Sequence, residues 1–283
     1  FFGVNGVGKT KCLEGLFQGY FFTYKNFLHF LNEKIFISKY YFIDGNEMKF
    51  GETFNSKYEI TSKYRHDLAI VFLGAGKRGH IDNINVNSEP LGVFEIRRER
   101  YFDRTIEKMQ KDFPSLGMDM GLEQWIVTIA HAANPFQEQE DNRRIEIDTL
   151  LQLLNKVDSR FDPAFLTIDG NNNVSIKVDG VVTKIRDLST GFASLLKIFQ
   201  TIISGYGFFT NSTDLANVKG IVFIDEIESH LHVEWQSKII PLLKKLFPNT
   251  TFYIATHSPI VLSQLQEGEA YRLEKQADGV VRA

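Results

Sequence analysis

The run Gly3-Val4-Asn5-Gly6-Val7-Gly8-Lys9-Thr10 constrains this chain more than any other feature. It meets G-x-x-x-x-G-K-[ST] at every fixed position. Glycines let the backbone curl until successive N–H groups point inward, an arrangement that holds phosphate oxygens. A helix expected to start near Gly8 adds its positive N-terminal end. In such a loop Asn5, Gly6, Val7 and Gly8 line the phosphates, Lys9 reaches the β- and γ-phosphates, and the Thr10 hydroxyl is a Mg²⁺ ligand. A phosphate loop of this kind follows a buried strand. Phe1-Phe2 supply only the end of one, so the sequence reads as part of something longer.

Two apolar strands further on end in chemistry. Gly220 to Ile224 is patterned to be buried on both faces of a parallel sheet, and Asp225-Glu226 follow it. Ligands bind at the carboxyl ends of such strands. Asp225 is placed to hold Mg²⁺, directly or through water, and Glu226 to orient and polarise an attacking water. Thr251 to Ala255 is a second buried strand, one strand–helix–strand unit later. His257 then emerges at the same sheet edge, within reach of a γ-phosphate as a donor. Ahead of these, Asp187 to Phe192 opens a helix expected over Thr190 to Ser204. Ser189 or Thr190 can cap that helix. The alternative is an anion-binding helix start aimed at a second molecule's nucleotide.

The rest of the chain reads as α/β. After a helix to about Tyr20, strands are expected at Ile35–Ile43, Lys49–Phe54, Tyr58–Ser62 and Leu68–Leu73, with one more at Gly92–Ile96. These suggest an antiparallel lobe over residues 30–100. From Thr105 the spacing turns helical, through Leu122, Trp125 and Ile129, then Ile147, Leu150, Leu154 and Phe161. That predicts a small helical insertion over 105–162. A hairpin at Asp179-Gly180, a helix over Glu234–Phe247, a short helix at Ile260–Leu265 and a closing hairpin of Ala270–Leu273 with Val280–Arg282 complete the 163–283 core. The whole, 1–283, is expected to be one domain whose core sheet is mostly parallel.

On these motifs the chain resembles the soluble branch of ABC-type ATPases, the branch of the SMC and RecF repair proteins, the OLD nucleases and the anti-phage ATPases of Septu and retron systems. Gly3 to Thr10 resembles the Walker A loop, Leu188 to Phe192 the signature motif, Ile221 to Glu226 Walker B, and His257 the switch histidine. The string Asp225-Glu226-Ile227-Glu228-Ser229-His230-Leu231-His232 with Trp235-Gln236 resembles that of stand-alone ATPases in bacterial defence, with Val233 in place of the usual proline. The resemblance implies a P-loop head that binds ATP and Mg²⁺. Two subunits would form a head-to-tail ATP sandwich, a homodimer or higher oligomer, in which Ser189 and Gly191 contact the nucleotide in trans. Glu228 to His232 would form the loop that crosses to the partner subunit. It implies hydrolysis by Glu226, and a partner effector, a nuclease, regulated in anti-phage defence. It assigns no glutamine to the family's Q-loop. The alternatives are a DNA-repair ATPase of the RecF or SMC kind and a non-hydrolysing nucleotide-dependent scaffold.

Composition excludes other classes. With 43% hydrophobic and 24% charged residues among 283, the chain has the balance of a globular protein. No apolar run approaches a membrane span. One cysteine, Cys12, allows no internal disulfide and fits a reducing cytoplasm. A net charge of −3 gives no global basic field, so any nucleic-acid contact needs a local patch. Arg97, Arg98, Arg100 and Arg104 form one candidate, nearly cancelled by Glu95, Glu99 and Asp103. A solvated strand end is the favoured reading there. Arg100 is the candidate to face a nucleotide, by analogy with the branch. Lys77, Arg78 and His80 form a second basic group. Cys12 reads as a packing residue, and His230 with His232 as an incomplete metal pair.

Overall fold

The computed structural model describes residues 1–25, 27, 35–37, 40–43, 45–53, 57–62, 64–76, 91–118, 120–138 and 141–282. The basic group at 77–80 lies outside them. At the centre is a parallel sheet of β4 (Ala69–Leu73), β8 (Gly220–Ile224) and β9 (Thr250–Ile254), in the order β4-β8-β9. The register runs in step, Leu73 beside Ile224 and Ile224 beside Ile254, so all three strands end together. Phe1-Phe2 continue the order. The Phe1 carbonyl accepts from Thr256 N–H at 3.1 Å, and the Phe2 carbonyl from Leu273 N–H at 2.8 Å.

Two helices cover this sheet. α1 (Lys9–Phe22) lays Phe17 edge-on to Phe72 and Phe223, at 5.2 and 5.5 Å between ring centres. On the opposite pleat, α5 (Thr190–Gly207) approaches β4 so closely that a side chain at Gly205 would strike Val71. α5 is buried nearly all round, its polar Lys197 and Gln200 included, with the Lys197 ammonium donating to Gln200 Oε1 at 2.9 Å. α3 (Leu122–Ala132) and α4 (Arg144–Val157) pack against it, while α2 (Phe94–Lys111) sets Phe102 against Phe21 of α1 at 5.1 Å and Tyr101 against Phe208, just past the end of α5, at 5.0 Å. β1 (Tyr40–Ile43), β2 (Asn46–Thr53) and β3 (Lys57–Ser62) form an antiparallel meander. β5 (Phe161–Ile168), β6 (Val174–Val178) and β7 (Val181–Lys184) form a second one. After β8 come α6 (Val233–Gln236) and α7 (Ile239–Leu246); after β9, α8 (Pro259–Leu262) and the pair β10 (Glu274–Lys275) and β11 (Val281–Arg282). None of the described helices is long and apolar enough to cross a membrane.

The fold is α/β as expected, but several elements correct the sequence reading. Leu68–Leu73 pairs in parallel with β8 and is not part of the antiparallel lobe. Every residue of Ala-Ile-Val-Phe-Leu is buried, which suits a strand covered on both faces. Gly92–Ile96 is no strand, because α2 starts at Phe94. The buried apolar stripe of this helix runs through Phe102, Ile106 and Met109, whereas Val93 and Ile96 of the short run are exposed. Phe161 opens β5, and α4 ends at Val157. The helix expected over Glu234–Phe247 breaks at Ser237-Lys238. Pro241 has no N–H to donate and its ring would collide with the carbonyl four residues earlier, so it is accommodated only in the first turn of a new helix. Ala270–Leu273 does not form the closing hairpin, because residues 271–273 bond to Phe2.

Candidate functional site

The site is built where the three core strands end. Gly6 and Gly8 have φ of 77° and 101°, in the left-handed region that glycine adopts without strain. A Cβ at either would meet nothing within 4 Å, so backbone conformation, not crowding, requires glycine here. Gly8 caps α1, and Lys9 follows in its first turn. Lys9 is buried at 5% exposure, and its Nζ donates to the Gly3 and Val4 carbonyls at 2.9 and 3.2 Å. The ammonium is thus folded over the loop that residues 3–8 describe. Burial lowers its pKa, while Asp225, Glu226 and Glu228 act on it in the opposite sense.

One turn along, Thr10 Oγ1 donates to Asp225 Oδ2 at 2.9 Å. That bond joins the glycine loop to the end of β8. Asp225 is itself fixed by its N–H on the Leu73 carbonyl at 2.9 Å and is 3% exposed. A hydroxyl and a carboxylate are the hard oxygen donors that suit Mg²⁺, with phosphate and water oxygens completing its shell. Glu226 has φ of 46°, left-handed for a residue with a side chain. Such conformations concentrate at functional positions.

His257 is exposed just past β9, at the same end of the sheet as Asp225 and Glu226. Its backbone N–H donates to Glu228 Oε1, and Thr256 Oγ1 donates to Glu228 Oε2 at 2.7 Å. Ser189 caps α5, accepting from Phe192 N–H at 3.3 Å, and its side chain is exposed. Gly191 is buried against His232, where a Cβ would lie 2.4 Å from the imidazole Cδ2. Ser194 Oγ donates to the Ser229 carbonyl at 3.1 Å, and Phe192 packs edge-on to Trp235 at 5.8 Å. The structure therefore brings Lys9, Thr10, Asp225 and Glu226 together. It sets the start of α5 against residues 229–235 of the same chain.

The other candidates fall out differently. The arginine cluster lies on α2, not at a strand end. Arg97 is buried, donating to the Gly92 carbonyl at 2.7 Å and Asn211 Oδ1 at 2.6 Å, with Asp141 at 3.4 Å. Arg98 rests over the Phe94 ring. Arg100 Nη1 lies 3.4 Å from the Leu91 carbonyl. Cys12 is half-buried, and burial pushes its thiol pKa up, away from the reactive thiolate. No group of three or more metal-ligating side chains occurs among the described residues, so His230 and His232 gain no third ligand there.

Sequence reasoning missed two acids. The resemblance places Glu228 only in a loop crossing to a partner, yet its carboxylate accepts from Thr256 Oγ1 and His257 N–H of the same chain. Glu14, on α1, is fully buried with Lys11 at 2.6 Å on one oxygen, and burial raises its pKa. A carboxylate one turn after Thr10, followed at the next turn by Gln18 on a helix otherwise rich in apolar residues, was the available signal.

Parts of this chain are similar to known proteins. Residues 133–263 match the family described as "AAA domain, putative AbiEii toxin, Type IV TA system". The chain is 36% identical over 128 residues to "Retron Ec83 probable ATPase" of Escherichia coli, an alignment covering 42% of this chain and 22% of that protein. It is 36% identical over 87 residues to the Septu protein PtuA of Bacillus mycoides (strain KBAB4), covering 31% and 12%. Among solved structures, an SMC head bound to the C-winged helix domain of ScpA aligns over 99% of this chain and 87% of that one, at 12% identity and a TM-score of 0.49. The curated relatives are matched over a quarter of their length or less. Residues 133–263 are thus similar to the AAA domain of that family, in keeping with the chain's resemblance to the soluble ABC-type ATPases.

Proposed function

We propose that this chain is an ATP-binding and hydrolysing head that dimerises around ATP and regulates a partner effector, a nuclease, in bacterial anti-phage defence. The Thr10–Asp225 bond carries the reading. It places a hydroxyl and a carboxylate from motifs 215 residues apart within one coordination distance of each other, beside a buried lysine that closes over a glycine loop. The defence role is supported by relatives named as retron and Septu proteins.

In this reading Asn5, Gly6, Val7 and Gly8 present backbone N–H groups to the phosphates, and Lys9 leaves the Gly3 and Val4 carbonyls for the β- and γ-phosphate oxygens. Thr10 and Asp225 would hold Mg²⁺, which neutralises charge on the β- and γ-phosphates. Glu226 orients the attacking water, and His257 donates toward the γ-phosphate. Ser189 and Gly191 serve a nucleotide held by a second copy, so that a γ-phosphate completes the interface between copies.

The test is the solution mass of the Glu226→Gln variant by light scattering, with and without Mg-ATP. A variant that binds ATP but turns it over slowly should accumulate the closed state. The expected outcome is a doubling of mass, or a larger multiple, with ATP and none with ADP. A mass that stays monomeric with bound ATP would refute the sandwich.

A further inference from the structure

The resemblance assigns Glu228 to His232 to a loop that crosses to a partner subunit, but the side chains of Glu228 and, just beyond that loop, Gln236 bond within the chain. Both oxygens of Glu228 are engaged by the next loop of the sheet: Oε2 accepts from Thr256 Oγ1 at 2.7 Å and Oε1 from the His257 N–H. Thr256 Oγ1 in turn accepts from Ser258 N–H at 3.0 Å. A second tie lies eight residues on. Gln236 Nε2 donates to the Leu231 carbonyl at 2.9 Å, and its Oε1 accepts from Ser258 Oγ at 2.8 Å. Thr256 and Ser258 are buried, whereas His257 between them is exposed. The loop is therefore pinned on both sides of a side chain left free to face outward. Glu228 is also among the carboxylates that act on Lys9, so it lies on the phosphate side of the sheet.

We propose that Glu228 is a positioning residue for His257. Its carboxylate fixes the 256–258 backbone, and with it the direction in which the imidazole is presented to the phosphate site. A carboxylate is the suitable group, because one side chain offers two acceptors to two donors on adjacent residues. The charge-assisted bond to a backbone N–H is stronger than a neutral one. The idea rests on the ATPase reading for its kinetic consequence, though not for its geometry.

Two measurements test it separately. The first needs no nucleotide. Amide exchange at His257 should be slow in the wild type and at least tenfold faster in Glu228→Ala, with the amides of β8 and β9 unchanged. Glu228→Gln, whose carbonyl still accepts from His257 N–H, should keep most of the protection. Equal exchange in wild type and Glu228→Ala overturns the clamp, and so does a loss of protection that spreads through β8 and β9. The second is a cycle of single and double variants in ATP turnover. Glu228→Ala should lower kcat at least tenfold while ATP affinity stays within threefold, and Glu228→Ala/His257→Ala should be no slower than His257→Ala alone. Multiplying effects, or a loss of ATP affinity in Glu228→Ala, would show that Glu228 acts independently of His257. Absence of turnover in the wild type would sink the hydrolytic reading while leaving the exchange result to decide the clamp.

Discussion

Replacing Lys9 by Met separates the structural from the ligand-binding work of one side chain. The stem is kept and the ammonium lost. In the free protein that ammonium donates to the Gly3 and Val4 carbonyls and faces Asp225, Glu226 and Glu228. Hydrogen bonds from a charged donor contribute about 1.5–3 kcal/mol. Against them stands the desolvation that already lowers the Lys9 pKa, so the net loss should be about 1 kcal/mol. A 283-residue chain unfolds with an entropy near 0.6 kcal/mol per kelvin, so Tm should fall by about 2 °C. The ligand effect is larger. ATP at about one hundred times its Kd stabilises the wild type by ~2.7 kcal/mol, a Tm rise of roughly 4–5 °C. The variant should show almost none of that rise. Differential scanning fluorimetry with Mg-ATP reads both numbers on one plate. A Lys9→Met protein that retained the full ATP-induced rise would refute the placement of the phosphate site at residues 3–10.

Two further substitutions test the frame behind the site. Glu14 is fully buried and its pKa is raised, chiefly by desolvation. An acid raised on folding binds its proton more tightly in the native state, so it stabilises at low pH, and that contribution is lost as pH climbs from the unfolded value through the folded one. Glu14→Gln should therefore raise stability at pH 7 by about 1 kcal/mol, a Tm rise of roughly 2 °C, and flatten the fall in Tm as pH rises through the acid range. An unchanged slope would count against it. Gly117 has φ of 80°, and a Cβ there would sit 2.2 Å from the Phe72 carbonyl oxygen of β4. Gly117→Ala should cost roughly 2–4 kcal/mol in urea melts, since neither the backbone strain nor the overlap can be relieved by rotating a side chain. A loss below about 0.5 kcal/mol would mean the turn does not pack on β4 in solution.

How much of this was legible in the sequence depends on the range of the interaction. The glycine loop, β8 and β9 were readable because local pattern alone determines them. Lys9 and Thr10 follow a positive-φ turn that the glycines announce, and Asp225 follows five buried residues in a row. The partner of β4 was not readable. Ala69–Leu73 is an apolar run either in a meander or in a parallel core, and only its pairing with β8, some 150 residues away, decides between them. The break at Ser237-Lys238 was in principle readable from Pro241 but was masked by apolar residues on either side. Glu228 was hidden for a different reason. Motif comparison assigned the segment to a subunit contact, and nothing in one dimension shows that a carboxylate three residues past Asp225 meets a threonine 28 residues later.

The charges at the end of the sheet make a definite demand on any nucleotide. Asp225, Glu226 and Glu228 lie within four consecutive positions, and all three act on a single buried cation, Lys9. A triphosphate is a polyanion, so it approaches a group of residues whose formal charge is already negative. The N-terminal end of α1 and the loop amides offset part of that repulsion, on the order of 1 kcal/mol for the helix end. The remainder has to come from a cation that enters with the nucleotide, and Thr10 with Asp225 offers it oxygen ligands. The same fluorimetry with EDTA in place of Mg²⁺ should therefore erase most of the ATP-induced rise in the wild type. Asp225→Asn, which removes one negative charge while leaving an oxygen for Thr10, should recover part of it under EDTA. If the asparagine variant behaves as the wild type there, carboxylate repulsion is not what makes binding depend on the metal.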